Sequence, residues 1–153
     1  MGFASHRGPW RLGTVLEGSA RNAGVTVVSQ SATVSYTDTT AKNLFILPAG
    51  AQVIAVYIDV ITAFTGTGTD LLDIGKTGTA NFFVNDADVS ATGHFVATLV
   101  AGNLATIYNI GTSDVQVTAT YIDQSSNAGA GSARVTFLYA VKDENGAENP
   151  TSA

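Results

Sequence analysis

An alternation of apolar and polar residues with a period of two is the feature that most constrains the fold of this chain. From Val115 to Ile122, four apolar side chains share one face of the segment and three polar side chains share the other. The segment from Arg134 to Lys142 alternates in the same way. Because successive side chains of a β-strand point to opposite faces of a sheet, this period predicts half-buried strands.

The longest alternating segment extends from Gln52 to Phe64, and both of its faces are apolar. We expect one face to cover the core, through Ile54, Val56, Ile58, Val60 and Phe64. The opposite face carries Val53, Ala55, Tyr57 and Ile61. A strand that is apolar on both faces needs a cover on each side. The second face is therefore expected to meet either another layer of the same domain or another subunit, which makes its four residues the candidate oligomer interface.

Shorter segments rich in β-branched and aromatic residues predict further strands. These segments are Val25–Tyr36, Leu44–Leu47, Leu71–Ile74, Phe82–Val84, His94–Val100 and Ala105–Ile110. Turn-forming clusters of Gly, Pro and Asn separate them, and no segment has the period of an amphipathic helix. Roughly eight or nine short strands at this spacing predict an all-β fold, a β-sandwich of jelly-roll type with an extended N-terminal arm. The strand order does not follow from the sequence.

Charge divides the chain into three parts. Residues 1–24 have three arginines against one glutamate, a local charge of +2, whereas the whole chain has a formal charge of −5. The sequence therefore predicts an extended basic N-terminal arm over residues 1–24, a β-sandwich domain over residues 25–142 and an acidic C-terminal tail over residues 143–153.

The predicted arm carries residues suited to binding a protein surface. Its arginines are Arg7, Arg11 and Arg21, and Trp10, the only tryptophan of the chain, lies between two of them. A segment this short and rich in glycine cannot form a core of its own. It nevertheless offers a bulky aromatic anchor and charged hydrogen-bond donors to a partner. We expect Arg7, Trp10, Arg11 and Arg21 to contact that partner.

The sequence contains no familiar set of catalytic or metal-binding residues. The chain has no cysteine, and its only candidate bases are His6 in the arm and His94, which is expected to be an ordinary surface residue at a strand edge. Carboxylates that are close in sequence, such as Asp70 and Asp73, lie beside predicted loops, where Asp commonly caps a turn. The segment from Asn85 to Asp88 lacks the remaining spacing of a calcium loop. We expect a non-enzyme without cofactor or metal.

Composition indicates how the protein covers its surface. Charged residues make up 12% of the chain and hydrophobic residues 45%, whereas charged residues average about 25% in soluble domains. A net negative charge argues against nucleic acid as the partner, and no apolar stretch reaches the ~18 residues of a membrane span. A monomer of this composition would tend to expose apolar patches, so we expect a homo-oligomer.

Four segments of the chain resemble small structural proteins of tailed-bacteriophage virions. They are LPAGAQVIAVYIDVITAF (47–64), TGTGTDLLDIGKTG (65–78), VQVTATYID (115–123) and AGAGSARVTFLYA (128–140). The resemblance covers roughly residues 44 to 142 and consists of turn-and-strand patterns. It implies a virion component made in the host cytoplasm, most like a capsid decoration (cement) protein. Such a protein binds the major capsid protein on the outside of the head, often as a homotrimer.

Two other functions remain open at this point. A head-fibre or tail-fibre module that recognises the host surface would also be a β-rich trimer, although fibres usually add a long repetitive shaft that this chain lacks. An enzyme or a carbohydrate-binding sandwich is the third class, and no group of residues supports it.

Overall fold

The computed structural model describes residues 26–124 and 128–141, and within them the chain is almost entirely β-structure. The eight strands are β1 (Thr26–Ser35), β2 (Lys42–Leu47), β3 (Gln52–Thr62), β4 (Leu71–Lys76), β5 (Thr79–Asp88), β6 (Gly93–Val96), β7 (Val115–Ile122) and β8 (Ser132–Val141). One 3-10 turn (Ala101–Asn103) leads into a short helix, α1 (Leu104–Ile107). The all-β prediction is confirmed. The predicted arm and tail lie outside the described residues.

The strands form two antiparallel sheets of four. Sheet A has the order β1-β8-β3-β6, and sheet B has the order β2-β7-β4-β5. Only β4 and β5 are both consecutive in sequence and neighbours in a sheet, because every other connection crosses from one sheet to the other. Pairs of strands that are distant in sequence therefore hold each sheet together.

Side chains from both sheets pack into one core. The Phe137 ring of β8 packs edge to face against two other rings. Its centroid lies 5.3 Å from that of Phe45 in β2 and 5.1 Å from that of Phe83 in β5. Aromatic pairs prefer this geometry because the positive edge of one ring meets the negative face of the other. Most of the aromatic residues thus serve the core, whereas Tyr57 and Tyr108 remain exposed.

A β-bulge corrects the predicted faces of β3. Its pairing with β8 shifts register between Val53 and Ala55. As a result Val53 is fully buried and Ile54 is 46% exposed, the reverse of what strict alternation predicts. An extra residue in one strand turns the residues before it onto the other face. Val53 therefore belongs to the core and not to the predicted interface, whereas Ile58 is buried as predicted.

Two predicted strands differ from the structure. The segment predicted as a strand over Ala105–Ile110 forms helix α1 and a following turn, in which the Tyr108 N–H donates to the Leu104 carbonyl at 2.8 Å. Ile107 and Ile110 are both buried. A helical turn brings residues three apart onto one side, where a strand would place them on opposite faces. The strand predicted over His94–Val100 ends at Val96.

Candidate interaction surface

The outer face of sheet A, the side turned away from the core, carries a row of exposed apolar side chains. Tyr57 of β3 lies directly opposite Val96 of β6 on one side and Thr136 of β8 on the other. The Tyr57 side chain is 42% exposed and Val96 is 60% exposed. Because opposite residues in an antiparallel pair lie on the same face, the two side chains form one continuous surface.

Two more large apolar residues extend this surface along β3. Ile54 is exposed because of the first bulge, and Ile61 is 55% exposed where β3 shifts register again between Val60 and Thr62. We define the apolar patch as Ile54, Ala55, Tyr57, Ile61 and Val96. It holds four of the eight large hydrophobic residues exposed among the described residues. Scattered exposed hydrophobics are common on monomers, whereas a cluster on one face marks an interaction site.

A charged row crosses the apolar patch between Tyr57 and Ile61. Asp59 lies opposite His94 of β6 and opposite Arg134 of β8. The Arg134 Nη2 donates to the Asp59 Oδ2 at 2.7 Å, and both side chains are about half exposed. An exposed ion pair of this kind contributes at most ~1 kcal/mol to folding. Such an ion pair contributes more to binding specificity, because a partner must match the charges of Asp59 and Arg134 as well as the apolar residues beside them.

The structure brings together three of the four residues predicted for the oligomer interface. Ala55, Tyr57 and Ile61 share the outer face of sheet A, and Val53 does not. Ile54 and Val96 were missed by the sequence reasoning, because a bulge and a strand register determine their positions. The four arm residues Arg7, Trp10, Arg11 and Arg21 lie outside the described residues.

The buried carboxylate Asp70 has a structural role. It accepts hydrogen bonds from the Tyr121 hydroxyl and from the Gly66 N–H, the latter at 2.9 Å, and its own N–H donates to Ser90 Oγ at 3.0 Å. Burial raises the pKa of Tyr121, and the hydrogen bond to Asp70 raises it further. These bonds hold the loop between β3 and β4 against β7. The Asp70 carboxylate and the Tyr121 hydroxyl are therefore both hydrogen-bonded within the fold.

The second buried carboxylate, Asp73, lies beside a bulge of β5. Its Oδ1 accepts the Asp86 N–H at 2.8 Å, and Asp86 has a left-handed backbone with φ of 54°. Burial and the neighbouring Asp86 charge raise the pKa of Asp73, against the lowering effect of that hydrogen bond. Among residues 26–124 and 128–141, the structure contains no group of three or more potential metal-ligating acids and histidines.

An open groove of about 650 Å³ lies between the end of β7 and the turn that follows β1. Its lining includes Tyr36 and three threonines, and Asp123 is its only carboxylate. Asp123 Oδ2 accepts the Ala128 N–H at 2.8 Å. The other ionisable side chains among its described lining residues are the phenols of Tyr36 and Tyr121, and the Tyr121 hydroxyl already donates to Asp70. No helix in the described part of the chain is long and apolar enough to cross a membrane.

Chains in three solved phage capsid structures have a similar fold. One belongs to the capsid asymmetric unit of cyanophage Pam1, with a TM-score of 0.60, 21% identity, and coverage of 77% of this chain and 86% of that chain. Another belongs to the acidic stable capsid of Helicobacter pylori bacteriophage KHP30, with a TM-score of 0.52, 22% identity, and coverage of 76% and 92%. The third belongs to the capsid of Ralstonia phage GP4, with a TM-score of 0.58, 18% identity, and coverage of 80% and 88%.

This fold occurs in phage capsids. Each match spans most of both chains, so the matched capsid chains are small and similar in length to this one. No family model matches the sequence, and no curated protein matches it.

Proposed function

We propose that this chain is a capsid decoration (cement) protein, which binds the outer surface of a phage head and stabilises the shell without catalysis. The observation that carries the proposal is the match, over most of its length, to small chains of three phage capsids. The sequence resemblance to virion structural proteins supports the same assignment, and so does the apolar patch, which suits a protein that works in an assembly. In this proposal the partner is the major capsid protein and the location is the outside of the virion.

The strand order supports the jelly-roll form of the β-sandwich. Eight strands divide into two sheets of four, and the chain crosses between the sheets at all but one of its connections. Two interlocked Greek keys produce this arrangement. The loops then collect at the two ends of the sandwich and the broad sheet faces remain available for contacts.

The apolar patch is the proposed contact between copies in a homotrimer. Tyr57 and Val96, which lie opposite each other, form its centre, and Ile54, Ala55 and Ile61 extend it along β3. An interface of this type buries large apolar side chains at its centre and leaves polar groups at its rim. The Arg134–Asp59 pair crosses the face and would fix the register between copies.

The basic arm is the proposed anchor to the shell. Arg7, Arg11 and Arg21 can donate charge-assisted hydrogen bonds to acidic or carbonyl groups, and Trp10 can fill an apolar pocket of the major capsid protein. Three arms in a trimer would act together, because binding of the first arm raises the effective concentration of the other two.

Stabilisation of the shell would follow from mass action. A protein that binds the assembled shell and not its separated subunits shifts the equilibrium towards the shell by RT ln(1 + [L]/Kd) for each site. At a concentration of 100 times the Kd this amounts to about 2.7 kcal/mol per site. No chemical step is needed, and the effect grows with the number of sites occupied.

The decisive experiment uses expanded phage heads that lack their decoration protein. Purified protein is added, bound protein is measured after sedimentation, and the temperature at which heads release their DNA is recorded. We expect saturable binding and a higher release temperature. Deletion of residues 2–24 should abolish binding if the arm is the anchor, whereas normal binding of the truncated protein would exclude that role.

The result that would overturn the proposal is a lack of binding to heads by the full-length trimer. Tight, saturable binding of isolated protein to host glycans in that case would indicate the host-recognition module of a fibre instead.

A further inference from the structure

Strand β1 lies at the edge of sheet A, and side chains already close its C-terminal end. The Lys42 Nζ donates to the Thr33 carbonyl at 3.0 Å, and the Asp38 Oδ2 accepts the Ser35 N–H at 2.7 Å. Lys42 and Asp38 also form an ion pair at 2.8 Å. Together they satisfy two backbone groups that a neighbouring strand would otherwise bind.

These bonds reveal which backbone groups of β1 point away from β8. The N–H and C=O of one residue in a strand point to the same side, and this side alternates along the chain. Because Thr33 and Ser35 bond away from β8, Val27, Ser29 and Ser31 must also present their N–H and C=O groups to that side. Among the strands of residues 26–124 and 128–141, sheet A has none beyond β1. No hydrogen bond from another described residue reaches these three backbones on their open side. We call residues 27–31 the open edge.

The open edge lacks the usual protection against strand addition. Proteins commonly block exposed edges with charged residues, proline or a bulge. Residues 26–35 read TVVSQSATVS, with no charged residue and no proline. Val27 is 50% exposed and Val28 is 37% exposed, and these consecutive side chains lie on opposite faces of the sheet. A strand placed beside β1 would cover both.

We propose that the open edge binds an extended, uncharged segment of the shell protein, which adds to sheet A as a fifth strand. The inference rests on the proposed function. The open edge lies immediately after residues 1–25, which include the proposed arm, whereas the Lys42–Asp38 pair closes the far end. Chain connectivity therefore keeps a shell protein that is bound by the residues just before Thr26 within reach of the unpaired part of β1. Main-chain bonds would provide affinity, and side chains next to Val27 and Val28 would provide specificity.

Amide hydrogen exchange tests the inference directly, in the full-length protein with and without undecorated heads. On binding, we expect exchange at the amides of Val27, Ser29 and Ser31 to slow by at least about tenfold, as a new hydrogen bond requires. The amides of Gln30 and Ala32 face β8 and serve as the internal control, because their exchange should change little. Unchanged exchange at all three open-edge amides in protein bound to heads would overturn the inference and leave the proposed function intact.

A matched pair of substitutions at one position separates the backbone from the side chain. Ser29→Pro removes an N–H from the open edge, and proline is tolerated where an edge N–H faces solvent. Ser29→Ala keeps the N–H and removes only the hydroxyl. We expect Ser29→Pro to weaken binding to heads by about tenfold or more, the equivalent of one lost hydrogen bond, and Ser29→Ala to bind normally. Equal binding by both variants, with each shown to be folded by its melting temperature, would contradict strand addition.

Two further outcomes identify failures of a different kind. Slower exchange at the open edge as protein concentration rises, without heads, would show that a second copy of this chain occupies it, which overturns the shell segment as the occupant. A lack of binding to heads by the unchanged protein would overturn both proposals together.

Discussion

Tyr57 and Ile58 are adjacent on β3 and face opposite sides of sheet A, which makes them a sensitive test of the apolar patch. Tyr57 is 42% exposed on the outer face, whereas Ile58 is fully buried in the core. We expect the same substitution, aspartate, to have different consequences at the two positions. Ile58→Asp should prevent folding, and Tyr57→Asp should leave a folded protein that no longer assembles.

The burial of Ile58 determines the magnitude of the first effect. Removing a fully buried isoleucine loses about 1.5–3 kcal/mol of transfer free energy. Placing an unpaired carboxylate in the same position costs several kcal/mol more, even after the structure relaxes. The sum is comparable to the whole stability of a domain, which is about 5–15 kcal/mol. Ile58→Asp should therefore show no cooperative thermal transition.

The second effect is small for folding and large for assembly. Tyr57 lies on the outer face opposite Val96 and Thr136, so its replacement removes cross-strand contacts worth roughly 0.2–1 kcal/mol each. For a domain of this length a loss of 1 kcal/mol lowers the Tm by about 2–4 °C. In an interface, by contrast, a charge in place of a central aromatic residue leaves a desolvated carboxylate. Tyr57→Asp should therefore be folded and monomeric.

Circular dichroism melting and light scattering check the two expectations together. The unchanged protein should have three times the mass of one chain, and Tyr57→Asp should have the mass of one chain. The Tm of Tyr57→Asp should lie within a few degrees of the Tm of the unchanged chain when it is diluted to a monomer. If Tyr57→Asp unfolds as completely as Ile58→Asp, the outer face of sheet A is not a free surface and the reasoning is wrong. A trimer that survives Tyr57→Asp would place the interface elsewhere.

Two other predictions concern folding. Gly131 has φ of 147°, and a Cβ there would lie 2.5 Å from the Phe64 ring and 2.9 Å from the Phe64 Cα. Gly131→Ala should therefore lower the free energy of unfolding in urea by about 1–3 kcal/mol. Gly129 has open space around it, so Gly129→Ala should change this free energy little. Asp73→Asn keeps the acceptor for the Asp86 N–H and removes a buried charge that lies near the Asp86 carboxylate, so we expect a gain in the free energy of unfolding at pH 7. Because the pKa of Asp73 is raised in the folded state, the native carboxyl favours folding less as pH rises above about 3.8, and the gain should vanish in melts at pH 3.

Strands with different polarity on their two faces were predictable from the sequence. In β7 the alternation with polar residues predicts that Val117, Ala119 and Tyr121 are buried, and the structure buries all three. Thr118 on the opposite face is buried as well, which the alternation does not predict. In β3 both faces are apolar, so a one-residue bulge near Val53 and Ile54 leaves no trace in the pattern and the two residues exchange faces. The sequence likewise predicted the strand and the face that carry the candidate site, but not every residue of that site.

Features that depend on distant partners were not predictable. The edge position of β6 beside β3 places Val96 next to Tyr57, and nothing local in either segment encodes that register. The helix at Leu104–Ile107 and the turn after it bury Ile107 and Ile110 together. The sequence did not predict this helix, because so short a run of apolar residues suits a strand equally well. Strand order is a global property of the chain and lies beyond any local pattern.

The position of the last two strands bears on how the protein is made. Strand β7 lies between β2 and β4, and β8 lies between β1 and β3. Until β7 and β8 have been synthesised, β1 and β2 have no neighbour to pair with. Only the local β4–β5 hairpin and the more distant β3–β6 pair can form before then. Neither sheet can close before its central strand emerges. Folding of both sheets is thus postponed until β7 and β8 have been synthesised, and a chain that stops before β7 lacks the central strand of each sheet.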